Sequence, residues 1–141
     1  MKYLLRKYLP DDLEALQNLM SQLGYAVALP ELRHNIDEIS DRGGEIIVAE
    51  KDGAVIGSVC VLIDARLAEG ICAEIVSLIV SEKERGSDIG KALVREAEAW
   101  ASERVKRIRV RANVKRSAAH RFYENNGFQE IKTQRVFMKT L

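Results

Sequence analysis

AEIVSLIVSEKERGSDIGK, residues 73–91, changes character at its midpoint. Residues 74–81 are mostly β-branched or aliphatic and predict a buried strand. Residues 82–90 form a short polar turn with two glycines, Gly86 and Gly90, and open an amphipathic helix. A strand that runs through such a turn into a helix start leaves several backbone N–H groups pointing one way, with the positive end of the helix dipole behind them. That is an anion cradle, and a phosphate is its usual occupant.

Downstream of the cradle, Ile89, Ala92, Leu93, Ala97 and Trp100 make the buried stripe of a helix of about three to four turns. Residues 108–112 read as the next strand, which makes a parallel crossover with the strand before the cradle. A last helix covers 117–126 and stops at Gly127, a residue suited to a left-handed cap. Two closing strands, about 128–132 and 135–139, predict a terminal hairpin. Upstream, 2–8 alternates as a first strand, and Pro10-Asp11-Asp12 is a helix-start cluster. Leu13, Leu16, Leu19, Met20 and Leu23 then recur at helical spacing up to Gly24. A second helix starts near Pro30 with Leu32, Ile36 and Ile39 on one face, and ends at Gly43-Gly44. Strands 45–50 and 54–63 flank Lys51-Asp52-Gly53, a strong hairpin signal. Gly57, inside the second of them, marks a bulge or a close backbone approach. The central strand is then antiparallel to its predecessor. The expected fold is a mixed α/β single domain over 1–141, with helices on both faces of the sheet.

The totals agree with that size. The chain has 141 residues, 47% hydrophobic and 30% charged, as one soluble globular domain requires. It shows no apolar run of membrane-spanning length and no secretory h-region, so a cytoplasmic location and no membrane partner are expected. Net charge is +1, unevenly spread: residues 1–70 carry 7 Lys/Arg against 12 Asp/Glu and residues 71–141 carry 15 against 9, so the halves stand at −5 and +6. Cys60 and Cys72 lie in apolar surroundings and read as small buried hydrophobes rather than a disulfide or metal pair. His34 and His120 are single histidines on helices, with no metal expected.

Two motifs carry a family resemblance. Arg85-Gly86-Ser87-Asp88-Ile89-Gly90 resembles the Gln/Arg-x-x-Gly-x-Gly/Ala loop of the GNAT N-acetyltransferases, with Arg85 and Gly90 matching and Asp88 standing where the family has glycine. Arg116-Ser117-Ala118-Ala119-His120-Arg121-Phe122-Tyr123-Glu124-Asn125-Asn126-Gly127-Phe128 resembles the family's Arg-x-x-Ala-His-x-Phe-Tyr-x-x-x-Gly-Phe segment at every fixed position. The two lie about thirty residues apart across a βαβ unit. The resemblance implies the GNAT fold, a mixed sheet of six to seven strands splayed between the central strand and the next. Acetyl-CoA is the implied cosubstrate, with no metal.

The family's roles transfer residue by residue. The loop Arg85, Gly86, Ser87, Asp88, Ile89, Gly90 and Lys91 would hold the pyrophosphate. Backbone groups of Leu78, Ile79 and Val80 would pair with the pantetheine arm as with an added strand, and Asn113 would reach the same arm. Tyr123 would protonate the departing thiolate, although its periodicity, shared with Ala119, Phe122 and Asn126, reads as a core face. Glu74 would take the proton of the incoming amine, and reads equally well as a charged residue at a strand's solvent end. An alkylammonium of pKa about 10.4 is deprotonated about once in 2,500 at neutral pH, a barrier of roughly 4.6 kcal/mol. The acidic first half suits a cationic amine acceptor, which Tyr25, in the linker after the first helix, is placed to touch if it is not simply packed.

Alternatives stay open at this level. Asp88 beside a pyrophosphate would weaken binding by about 1 to 4 kcal/mol, which motivates a non-catalytic acyl-CoA sensor. Residues 104–121 hold eight Lys/Arg and no acid. From this run Lys115, Arg116 or Arg121 would meet the cofactor's 3′-phosphate, while Arg107, Arg109 and Arg111 would alternate outward on the strand. Nucleic acid is not an expected partner, because aromatic residues are sparse in that run. Family members are often dimeric, and the terminal strands are natural pairing edges for a homodimer.

Overall fold

The computed structural model describes residues 2–141 and divides into two compact units, one up to Val110 and one over Arg111–Leu141. In the first unit, five strands lie in sequence order: β1 Leu4–Lys7, β2 Glu45–Lys51, β3 Ala54–Arg66, β4 Gly70–Val80 and β5 Ile108–Val110. The first four pair antiparallel, and β5 runs parallel to β4. The hairpin between β2 and β3 turns at Asp52 and Gly53, with φ of 52° and 79°. Two successive left-handed residues match the right-handed twist of the strands they join, which explains the Asp-Gly pair.

Helices α1 Leu13–Gln22 and α2 Leu29–Asp41 cover one face of the sheet. Leu13, Leu16, Leu32 and Ile36 pack there with Ile46 and Cys60. Helix α3, Ile89–Ser102, covers the other face and buries Ile89, Leu93, Val94, Ala97 and Ala101. Its stripe is rotated slightly from the expected one, since Trp100 is half-exposed and lies under the Arg104 guanidinium, 4.2 Å from the ring centre. Gly57 explains how α3 comes so close. A Cβ there would stand 3.1 Å from Leu93 Cδ1, 3.2 Å from the Ile79 carbonyl oxygen and 3.3 Å from Ile89 Cγ2.

Two bulges break the ladders. Ala49 pairs with Gly57 and Glu50 with Val55, so Ile56 is extra in β3. Cys60 pairs with Ser77 and Val61 with Ile75, so Val76 is extra in β4. A bulge bends its strand and sharpens the local twist. Pairing of β4 with β5 covers Ala73, Glu74 and Ile75 and stops just before Val76. β5 ends at Val110 opposite Ile75, so β4 runs on past the bulge without a β5 partner.

The second unit contains α4, Ser117–Asn125, ended by Gly127 at φ 92°. The Gly127 and Phe128 amides donate to the carbonyls of Glu124 and Tyr123, a left-handed helix cap. The expected terminal hairpin is not formed: no strand is present over 128–141. The sheet accordingly has five strands rather than six or seven. Alternation alone does not make a strand, whose N–H and C=O groups need a neighbour to pair with.

The entry into α1 is fixed by charge. Asp12, 7% exposed, accepts hydrogen bonds from Arg6 Nη1 at 2.8 Å and Nη2 at 2.9 Å, and from the Leu9 amide at 2.8 Å. Arg6 also donates to Glu50 from Nε at 3.1 Å. The Arg6 hydrogen bonds hold the Asp12 carboxyl below its ordinary value, against the opposing effect of burial. A depressed carboxyl contributes its stability above the unfolded pKa of about 3.9, and that contribution is lost as pH falls through the folded value. Asp12→Asn should cost about 1 to 3 kcal/mol at pH 7. Thermal melts from pH 7 to pH 2 should show the wild-type and variant curves converging below pH 4.

Candidate active site

The cradle starts where β4 ends. The Ser81 amide donates to Ile56 O at 2.8 Å, the Glu82 amide to Gln22 Oε1 at 2.9 Å, and Lys51 Nζ to Glu84 Oε1 at 3.1 Å. These bonds tie the short 3-10 turn Glu82–Glu84 to β3, α1 and the β2–β3 hairpin. Gly86 follows in the left-handed region at φ 86°, as this turn requires. Ser87 Oγ donates to Glu84 O at 2.5 Å and accepts a long bond, 3.4 Å, from the Ile89 amide. Ser87 thus does the capping. Asp88 occupies the N-cap position but makes no side-chain cap bond.

Helix geometry leaves the first-turn amides of α3, at Ile89, Gly90 and Lys91, without an acceptor inside the helix. The fit of a diphosphate therefore turns on the Asp88 carboxylate. The Tyr3 phenol is held above its ordinary value by burial first and by the nearby Asp88 carboxylate second. The Asp88 side chain is exposed, so water screens its charge while the amides and the dipole of α3 face an anion. Arg85 and Lys91 are exposed beside them.

Beyond Val76, β4 continues through Leu78, Ile79 and Val80 with β3 on one side and no β5 residue in register on the other. Those three residues thus present a strand edge next to the cradle, within the same unit. An extended amide-bearing chain can add to such an edge.

Glu74 lies upstream of the bulge, with Leu62 of β3 and Arg109 of β5 as cross-strand partners. Arg109 Nε and Nη2 each stand 2.7 Å from Glu74 Oε1. The same guanidinium binds Asp64 and lies 3.5 Å from Glu69 Oε2. Arg66 Nε reaches Asp64 Oδ2 at 2.7 Å. Arg109, in turn Arg66, holds the Asp64 carboxyl below its ordinary range. Burial opposes charge on Arg109, but its bonds to Asp64 and Glu74 outweigh that and push its pKa up. The expectation that Arg109 points outward is corrected: its side chain is 14% exposed and is the hub of three carboxylates. The nearby acids Asp64, Glu69 and Glu74 were the available signal, but only the strand register brings them to one cation.

On the same side of the sheet, Asn35, Glu38, Ile39, Arg42, Leu62 and Ile63 line a cleft of about 370 Å³. Leu62, the register partner of Glu74, joins this cleft to the carboxylate cluster. Tyr25 is 58% exposed, so it is not a packing residue.

In the second unit, Tyr123 is half-buried between two aromatic edges, Phe122 at 5.3 Å and Phe128 at 5.7 Å between ring centres. Burial raises its pKa, and Arg116 partly opposes the rise. The phenol therefore keeps its proton well above neutral pH, as an acid must. Asn113 Oδ1 accepts from the Lys115 amide at 2.9 Å, and the Asn113 carbonyl accepts from His120 Nε2 at 2.8 Å. Asn113 is a turn-forming asparagine, and His120 ties that turn to α4.

Cys60 and Cys72 are buried free thiols, with burial pushing Cys60 up to about 12. Among the described residues, no group of three or more His, Cys, Asp or Glu could hold a metal, and no helix is long and apolar enough to cross a membrane.

Comparisons place this arrangement among known proteins. The structure resembles that of aminoglycoside N-acetyltransferase AAC(6')-Iy in complex with CoA, with TM-score 0.88 and 16% identity over 99% of this chain and 96% of that one. It resembles AAC(6')-Ih, an aminoglycoside 6'-N-acetyltransferase from Acinetobacter baumannii, with TM-score 0.85 and 18% identity over 99% of each chain. A transcriptional regulator from Bacillus halodurans C-125 gives TM-score 0.86 and 25% identity over 99% of this chain and 100% of that one. A sequence search of curated proteins found no match. The acetyltransferase (GNAT) family model matches residues 11–128. With its mixed sheet parting after Ile75 and an amide-lined turn at the start of α3, the chain belongs to the GNAT acetyltransferase family.

Proposed function

We propose that residues 1–141 act as an N-acetyltransferase domain that moves an acetyl group from acetyl-CoA to a primary amine of a small molecule or protein. The parting of β4 from β5 at the Val76 bulge, directly before the amide-lined turn, carries this reading. A coenzyme A donor needs both parts at once: a strand edge for its amide-bearing arm and unpaired N–H groups for its diphosphate.

The residues then divide the work. Arg85, Gly86, Ser87, Ile89, Gly90 and Lys91 hold the diphosphate, chiefly through amides. The backbone edge of Leu78, Ile79 and Val80 aligns the arm and directs N–H groups at the thioester carbonyl. The amine attacks that carbonyl directly in a ternary complex, so the C–N bond forms as the C–S bond breaks. Tyr123 supplies the proton to the leaving sulfur, and Glu74 takes the ammonium proton, directly or through water. Arg109 already offsets part of the Glu74 charge, so the surplus negative charge is shared by Asp64, Glu69 and Glu74. Such a cluster favours a cationic acceptor in the adjoining cleft. Asn113 holds its own turn through its carbonyl and Oδ1, and its side-chain NH2 is the group that would reach the pantetheine arm.

A second reading, an acyl-CoA binder without turnover, draws on Asp88 in the loop and on the engagement of Glu74 by Arg109. Turnover over a panel of diverse amines separates the two. Tyr123→Phe should lower kcat by about 10²-fold with acetyl-CoA affinity little changed; lost affinity at normal turnover would remove the phenol from the acid role. Glu74→Gln should displace the activity profile to higher pH, where the amine loses its proton unaided, and an unmoved profile would retire Glu74 as base. Calorimetric titration with acetyl-CoA should show Asp88→Gly binding no more than a few-fold more tightly than wild type, because the exposed carboxylate is screened by water. A gain of a hundredfold or more would mean that Asp88 opposes the diphosphate directly.

A further inference from the structure

Ser77 is the one polar residue between positions 75 and 80. It is half-buried, and among the described residues its hydroxyl has no hydrogen-bond partner. A hydroxyl in an apolar strand is destabilising unless water or a ligand meets it. The Val76 bulge decides which way this one points. Side chains three apart on a regular strand face opposite ways. Here Glu74 pairs with Leu62 and Ser77 with Cys60, so their partners stand two apart on β3. Cys60 and Leu62 both pack with the α1 and α2 cluster, so Glu74 and Ser77 share that face, about 7 Å from each other along β4.

Ser77 also stands at the reacting end of the donor, an inference that rests on the acetyltransferase reading above. With the diphosphate in the turn after β4, the arm runs back along Val80, Ile79 and Leu78, and its thioester arrives beside Ser77. Glu74 is drawn aside from that point. Arg109 Nε and Nη2 on β5 each stand 2.7 Å from its Oε1, which holds the carboxylate along the paired stretch. A proton leaving the amine therefore has a gap to cross.

We propose that Ser77 is a catalytic residue for the incoming amine: its hydroxyl takes the ammonium proton and passes its own, through one water, to the Glu74 carboxylate. One O–H bond forms on the serine as the other breaks, so the hydroxyl ends as it began. The electron pair left on nitrogen forms the C–N bond, the C–S pair leaves with sulfur, and Glu74 holds the proton. Charged groups around Glu74 are Arg109 of β5, Asp64 of β3 and Glu69 of the turn between β3 and β4, with Glu38 and Arg42 of α2 across the adjoining cleft. A substitution at Ser77 alters none of them.

Ser77→Thr and Ser77→Val test the relay, because their side chains match in shape and differ by the hydroxyl. On an amine that the wild type acetylates, Ser77→Val should lower kcat by about 10- to 100-fold and displace the pH–rate profile to higher pH. Ser77→Thr should stay within a few-fold of wild type with the profile unmoved. Calorimetric titration should give all three the same acetyl-CoA affinity, which also reports that each is folded. A wild-type kcat or an unmoved profile in Ser77→Val, or a Ser77→Thr as impaired as Ser77→Val, would overturn the role of Ser77 and leave the acetyltransferase reading standing. A wild type that binds acetyl-CoA and turns over no amine would overturn that reading and this role with it. Should Ser77→Val lose acetyl-CoA binding, Ser77→Ala takes its place under the same criteria.

Discussion

Val61 of β3 faces Ile75 and its neighbour Cys60 faces Ser77, so Val76 has no counterpart across the ladder. The rest of the site follows from that surplus residue. Before it, β4 is an ordinary interior strand with β3 on one side and β5 on the other; after it, β4 keeps β3 and leaves β5. Opening a sheet uncovers backbone donors and acceptors, which must find water or a ligand. Here the uncovered length ends at the turn before α3, whose Gly90 and Lys91 amides have no acceptor inside the helix. Two deficits of the same kind, placed end to end, make a binding surface out of main chain, and side chains are left to adjust it.

Electrostatics does that adjusting in two places. At the turn, the acid that would oppose a diphosphate, Asp88, is exposed, so water screens its charge. Upstream of the bulge, one guanidinium gathers three acids drawn from the end of β3, the following turn and β4. Its side chain is largely covered, so water screens these pairs less than it would on an open surface. Arg109 thereby clamps β5 to β4 along the paired stretch that ends at Ile75.

Much of this was legible in the chain. Helical periods located α1 through α4 to within a few residues, because apolar spacing and Gly24, Gly43 and Gly127 mark faces and ends locally. Lys51-Asp52-Gly53 predicted its hairpin, and Gly57 its close approach. Nonlocal facts were not legible. The run IVSLIV is apolar except for Ser77, so it carries no alternation that a slipped residue at 76 would disturb. Arg109 sits in a basic stretch that reads as solvated until the register sets it against Glu74. The closing segment has the strand pattern but no strand, since pattern describes what a chain can pair with and topology decides whether the partner is present. The two motifs around residues 85 and 123 identified the family, yet said nothing of Tyr3.

Gly57 has a consequence for dimension rather than chemistry. With only a hydrogen atom between the β3 backbone and the start of α3, the helix rests at its minimum height above the sheet, against Leu93 and Ile89. Even a single Cβ there would require Leu93, Ile89 or the Ile79 carbonyl to give by a few tenths of an ångström. The height of the first turn of α3 above β3 and β4 is therefore gauged by a position that has no side chain.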